Sequence, residues 1–194
     1  MKLSDIVDIS TGYSFRSKIK HEPDGGVKVI QMSDVDSVKG INWESLSLIS
    51  DFNPRSDRYF LHKGDLIMVS KGNNLNAFLI SENFGEVVPV NSFLILRCKN
   101  SQVLPGYLEW FLNSKRTQYY LKTVAAGTGI PNLSRSALED LDIYLPSLQR
   151  QKIITQTDEL KQKEIRLHNE IATKKENLID YLLEMQVENW KTKY

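Results

Sequence analysis

From Ser147 to about Trp190 the chain has neither glycine nor proline, and a run of that length without a backbone breaker has few fates other than helix. Lys, Glu, Gln, Leu and Ile dominate it. A 4-3 ladder begun at Ile153 passes through 157, 160, 164, 167, 171, 174, 178, 181 and 185. Those positions hold Ile, Thr, Leu, Glu, Leu, Ile, Lys, Leu, Tyr and Met, seven of the ten apolar or aromatic. The spacing predicts a long amphipathic helix with a coiled-coil seam formed by Ile153, Leu160, Leu167, Ile171, Leu178, Tyr181 and Met185. Thr157, Glu164 and Lys174 interrupt the seam and suit a register fixed against one partner. At about 1.5 Å per residue the helix would reach roughly 65 Å. A stripe that long cannot bury itself, so a second helix is expected; the alternative is a terminal helix folded back onto its own domain.

The region before it has a different grammar. Up to about Leu145 short turn signals recur: Asp24-Gly25-Gly26, Lys39-Gly40, Lys63-Gly64-Asp65, Lys71-Gly72-Asn73-Asn74 and Gly127-Thr128-Gly129. Short β-type runs lie between them, at 27–31, 66–69, 78–80 and 93–97. One helix is predicted from Pro105 to Tyr120. The expected class is α+β: residues 1–145 form a globular mixed domain with a strongly bent sheet, and residues 146–194 form the long helix. Ordinary proportions of hydrophobic (41%) and charged (25%) residues argue for a folded core rather than disorder.

Tests for chemistry fail one after another. His21, His62 and His168 are far apart and lack ligand spacing, so no metal site is expected and these side chains should be exposed. Cys98 ends the apolar run Phe93-Leu94-Ile95-Leu96-Arg97-Cys98 and reads as a core residue, with nothing nearby to lower its pKa. Gly127-Thr128-Gly129 runs into Ile130-Pro131 without a third glycine, which is not a dinucleotide loop. Asn53-Pro54 is followed by Arg55-Ser56 rather than by the proline and aromatic of an adenine-methyltransferase loop. Pro23-Asp24 finds its only Glu-x-Lys partner, Glu159-Leu160-Lys161, inside the long helix. A Walker-type phosphate loop is absent. The single cysteine, the lack of an apolar signal core and the lack of a spanning apolar run lead to the expectation of a cytoplasmic protein with no membrane partner.

What remains is a set of polar loops. Ser70-Lys71-Gly72-Asn73-Asn74-Leu75-Asn76 offers one amine and three amides, and a glycine that permits close backbone approach. Amides can pair bidentately with adenine, and Lys reaches phosphate or guanine. The segment 127–135 adds Thr128, Asn132 and Arg135 and leads into a short helix near 134–138. Lys18 and Lys20 lie in a local basic run. The candidate DNA contacts are therefore Lys18, Lys20, Lys71, Asn73, Asn74, Asn76, Thr128, Asn132 and Arg135, although each loop can equally be an ordinary solvated turn. A net charge of +1 means that any positive patch must be local.

The order of these features resembles the specificity subunits of type I restriction–modification systems over almost the whole length. Leu3-Ser4-Asp5-Ile6 through Gly12 is similar to the family's opening, and Val29-Ile30-Gln31-Met32-Ser33-Asp34-Val35 to its strand and turn. Lys63-Gly64-Asp65-Leu66-Ile67-Met68-Val69-Ser70-Lys71-Gly72 is similar to the next block, and Tyr107-Leu108-Glu109-Trp110-Phe111-Leu112 to its helix. Ala126 to Ser134, Leu138, Leu141, Ile143 and then Leu145-Pro146-Ser147-Leu148-Gln149-Arg150-Gln151-Lys152-Ile153-Ile154 match the approach to the long helix. Ser147, where many members have proline, and Lys71, where arginine is commoner, depart from the pattern.

The resemblance implies a target-recognition domain followed by a conserved helix, one of each where full-length subunits have two. Either a homodimer supplies the second half or the chain is part of a longer protein. The implied role is non-catalytic: reading one half of a split site in double-stranded DNA, with paired helices setting the gap. Methyltransferase subunits, and a restriction subunit, would be the partners. The chain itself would carry no cofactor; S-adenosylmethionine, and ATP for restriction, would sit on those partners. Two rivals stand beside this reading: a coiled-coil scaffold without DNA specificity, and an enzyme with an unfamiliar site.

Overall fold

The computed structural model describes residues 1–50, 52, 57–125 and 131–191, with side chains to Glu188. They fall into two units, Met1–Thr155 and Gln156–Tyr194.

The first unit is organised by the apolar run at its centre. Strand β9 (Phe93–Cys98) lies between β1 (Val7–Thr11) and β6 (Leu66–Val69), and β6 pairs with β7 (Ala77–Leu79). All three pairings are antiparallel, with Ile9 opposite Leu96, Ile67 opposite Ile95 and Ile67 opposite Phe78. β6 is buried at every position because both faces of this sheet are covered. The two-residue period divides its side chains: Leu66, Met68, Leu94 and Leu96 join the core with Leu108, Leu112, Leu121 and Leu138, all helical. Ile67, Val69, Phe93 and Ile95 face the other way, onto Ile30 and Val87. Those two belong to a second sheet in which β2 (Val27–Ile30) lies between an antiparallel β5 (Ser47–Ile49) and a parallel β8 (Val87–Pro89). A small hairpin of β3 (Val35–Asp36) and β4 (Gly40–Ile41) follows β2. The α+β class with a long terminal helix is borne out, its strands distributed over three sheets.

Where one helix was expected over 105–120, there are two. α1 (Pro105–Asn113) starts with proline at its first turn. α2 (Lys115–Ala125) follows after Ser114, whose ψ of 145° leaves the helical region. The break has two causes. Asn113 is drawn to the edge strand, accepting from the Ala77 N–H (2.9 Å) and donating to its carbonyl (2.8 Å). The Ser114 hydroxyl accepts from the Thr117 N–H (3.3 Å) and so caps α2. Together with Glu109, which accepts from the Leu79 N–H at 2.8 Å, Asn113 blunts the open edge of β7. The short helix near 134–138 is present as α3 (Arg135–Glu139), capped by Ser134, which accepts from the Ala137 N–H.

The chain's first residues close the unit. Leu3 is fully buried and donates to the Leu141 carbonyl, and Ile143 donates to that of Met1. α4 (Leu148–Lys191) begins immediately after. Its first turns belong to the compact unit: Gln151 is fully buried, its Oε1 accepts from the Leu104 N–H, and its Nε2 donates to the Gln102 and Pro146 carbonyls, each at 2.9 Å. A Cβ on Gly106 would collide with Thr155 Cγ2, so α1 packs against α4 more closely than any larger residue permits. In the second unit the apolar stripe is exposed: Leu160, Leu167, Ile171, Leu178, Tyr181 and Met185 all face solvent, as does Ile153 one turn above the boundary.

Candidate nucleic-acid interface

Antiparallel pairing brings four strand ends, and with them three loop segments, to one end of the four-stranded sheet. β1 and β6 finish there, at Thr11 and Val69, and β9 and β7 start there, at Phe93 and Ala77. The loops leaving those points are therefore neighbours, although they come from residues 12–14, 70–76 and 89–92. A fourth segment joins them after α2. Leu133 N–H donates to the Ser70 carbonyl (2.7 Å), Gly72 N–H to that of Pro131 (2.9 Å), and Lys71 lies opposite Asn132 in an isolated bridge.

The rim is held from beneath. Ser70, itself buried, donates from both its N–H and its hydroxyl to the Ser92 carbonyl, each at 2.8 Å. The Asn76 carbonyl accepts from the Val69 N–H (2.9 Å), which closes the β6–β7 loop. Gly72 has a φ of +103° with open space where a Cβ would be. Its freedom is used for the left-handed backbone rather than for a close approach. Gly12 is the opposite case, since a Cβ there would overlap the Val90 carbonyl. Tyr13 then bridges to Val90, and Asn91 donates to the Ser14 hydroxyl at 3.2 Å.

Several of the sequence candidates thus meet. Lys71, Asn73, Asn74 and Asn132 are exposed on this rim, and Asn76 is half-buried at its base. Arg135 follows on α3, exposed and ion-paired with Glu139 at 2.7 Å; such a surface pair is worth about 0–1 kcal/mol, little enough to be exchanged for a phosphate. Lys18 and Lys20 are exposed on the stretch that follows Ser14, tethered to the second sheet by Phe15 and Ile19 and by the Glu22 N–H bond to Leu48. Thr128, like the Asn53-Pro54 pair, lies outside the described residues. Two rim residues, Ser14 and Asn91, were missed. Asn91-Ser92 is a turn signal in the sequence, but only the pairing of β1 with β9 places it beside Ser14.

Away from the rim the polar groups have structural work. Asp65, buried at the opposite end of β6, holds Arg97 through two bonds (Nε to Oδ1 2.9 Å, Nη2 to Oδ2 2.7 Å) and accepts from the His62 N–H. That bonding raises the Arg97 pKa further above its ordinary value. Burial pushes the Cys98 thiol up to about 11, so it stays protonated at neutral pH. Among the described residues no three His, Cys, Asp or Glu side chains group in a way that could hold a metal, and no helix is long and apolar enough to cross a membrane.

The mixed domain thus gathers amides and a lysine on one loop rim and leads into a long helix with an exposed apolar stripe. The chain belongs to the type I restriction modification DNA specificity domain family, whose profile matches residues 1–177. Similar folds occur in the type I restriction–modification S subunit from M. genitalium (20% identity, TM-score 0.57) and the HsdS subunit from Thermoanaerobacter tengcongensis (15%, 0.62). A third is found in a structure described as the basis of complex assembly and conformational transition of the type I R-M system (15%, 0.61). The matches cover 87%, 87% and 86% of this chain but only 39%, 38% and 38% of those chains. A search of curated proteins returns no match.

Proposed function

We propose that this chain reads one half of a split site in double-stranded DNA and directs adenine methylation by partner methyltransferase subunits. The observation that carries the reading is the convergence of Lys71, Asn73, Asn74, Asn132 and Asn91 on one rim, in a chain of the DNA specificity family. Asparagine offers an adjacent donor and acceptor, which fits the N6 and N7 edge of adenine; each such bidentate pair discriminates by about 1–3 kcal/mol. Lys71 serves guanine or a phosphate.

The exposed stripe of α4 supplies the second half of the reading. Leu160, Leu167, Ile171, Leu178, Tyr181 and Met185 are the seam of a coiled coil with the same helix of a second copy, so that a two-fold dimer reads two inverted half-sites. Base flipping and methyl transfer take place on the methyltransferase subunits, which bind S-adenosylmethionine. A restriction subunit with ATP joins the same assembly, and the compartment is the cytoplasm.

The test is a base-resolved methylation map of cells expressing this chain with its methyltransferase subunit. A split palindromic motif is expected. An asymmetric split motif would replace the homodimer by two different halves. No motif, with methyltransferase binding intact, would overturn sequence reading in favour of a coiled-coil scaffold. Asn73→Ala and Asn132→Ala are expected to relax the motif at particular bases rather than abolish methylation.

A further inference from the structure

α2 carries a basic outer face on a nearly neutral protein. Its eleven residues, Lys-Arg-Thr-Gln-Tyr-Tyr-Leu-Lys-Thr-Val-Ala, carry three cations and no acid. Thr117, Leu121 and Ala125 bury the inner face. Lys115, Arg116, Tyr119, Tyr120 and Lys122 are all exposed, Tyr119 to 78%. Lys115, Tyr119 and Lys122 share one stripe by their i, i+4, i+7 spacing, with Arg116 and Tyr120 beside it.

These residues do little for the fold. Lys115 and Arg116 occupy the first turn, where the helix macrodipole disfavours positive charge. No described residue forms an ion pair with either of them or with Lys122. Two large aromatic rings presented to water beside these cations are likewise no help to a core. The helix is also attached to the loop rim at two places: Asn132 N–H donates to the Ala125 carbonyl (3.1 Å), and Gln118 Nε2 donates to that of Leu75 (2.8 Å). The helix is thus anchored to the segments that carry Lys71 and Asn132.

We infer that the outer face of α2 is a phosphate-backbone contact surface, gripping duplex DNA beside the half-site without reading its sequence. The inference rests on the DNA-reading role of the rim and assigns to it a separate source of affinity. Lys and Arg supply charge, and Tyr hydroxyls are common donors to phosphate oxygens; such contacts fix register and carry no base information. The helix is roughly 16 Å long, comparable to the rise of four or five base pairs along the duplex axis at about 3.4 Å each.

The experiment compares the full-length chain with the triple variant Lys115→Gln, Arg116→Gln, Lys122→Gln and with Tyr119→Phe. Binding to a fluorescent 30-base-pair duplex of random sequence is titrated from low to moderate salt, and the methylation motif is mapped in cells. All four positions are exposed, so far-UV circular dichroism should be unchanged. The triple variant should bind at least about tenfold more weakly and lose about 2.7 from the salt slope, about 0.9 per phosphate contact removed. Its methylation motif should be the same as wild type, with lower occupancy. Tyr119→Phe should weaken binding several-fold with the salt slope retained. Wild-type affinity and slope in the triple variant would overturn the inference while leaving the rim reading intact. A changed motif would also overturn it, by making α2 a base reader. Loss of methyltransferase co-purification with DNA binding unchanged would show an acidic protein partner on this face instead. If the wild-type chain bound no duplex at all, inference and rim reading would fall together.

Discussion

Leucine behaves in opposite ways in the two units. Leu66, Leu96, Leu108 and Leu112 have no exposed surface, whereas Leu160 and Leu178 are exposed to 69% and 57%. Up to Thr155 the chain contains its own partners: three sheets and three helices close three hydrophobic clusters, two of them on opposite faces of the four-stranded sheet. Beyond it a regular helix presents an apolar stripe that no described residue covers. The lesson is that secondary structure and burial are separable. Helical propensity and local pairs such as Lys161–Asp158 (3.7 Å) serve the second unit's backbone, while its stripe stays exposed.

The largest expected break in this contrast is in assembly. Leu160→Asp with Leu178→Asp places two charges in the seam, and dimerisation measured by sedimentation should be lost completely. The unfolding of the first unit should not shift, because neither side chain is part of its core. A dimer that survived both changes would move the association surface off the stripe. Leu108→Ala should do the reverse, costing about 2–5 kcal/mol in chemical denaturation through the cavity left between α1 and the central sheet, with the seam untouched. Equal effects of both variants on stability would mean that the two units do not fold independently.

A smaller effect is expected at the β3–β4 hairpin. The Asp36 carboxylate accepts from the Lys39 and Val38 N–H groups, both at 2.8 Å, and these bonds hold its pKa below the ordinary carboxylate value. A lowered folded-state pKa favours the fold while pH exceeds the unfolded value of about 3.9, and the benefit disappears as pH falls through the lower, folded value. Protection of the Val38 and Lys39 amides, taken relative to the intrinsic exchange rate at each pH, should therefore fall in that acidic window and stay constant from pH 5 to 7. Loss of protection already at pH 6 would point to another group.

The same contrast explains what could be read in advance. The long helix was legible because its signal is periodic and uninterrupted, needing no partner to be recognised. The strand runs at 66–69 and 93–97 were legible for the related reason that four consecutive apolar residues demand burial on both faces of a strand. The helix break at Ser114 was hidden because it depends on Asn113 bonding to Ala77, thirty-six residues away, and no local pattern reports that. Of the candidate contacts, Lys71 and Asn132 were visible only as polar loop residues; that they face each other follows from a bridge between segments sixty-one residues apart.

The sequence by itself determined the division into a mixed α+β unit and a continuous helix, four of the strand runs (27–31, 66–69, 78–80 and 93–97) and the heptad stripe, since each depends on short-range periodicity and on breaker residues. Only the tertiary structure decided the strands at Val7–Thr11, Ser47–Ile49 and Val87–Pro89, which loops share a rim, that Ser14 and Asn91 belong to it, and that the stretch bearing Lys18 and Lys20 is tethered to the second sheet. It alone placed α2 against the loops bearing Lys71 and Asn132. The physical reason is that antiparallel register and sheet order bring distant residues together, and both are set by the packing of two cores around β9 rather than by any stretch of chain read alone.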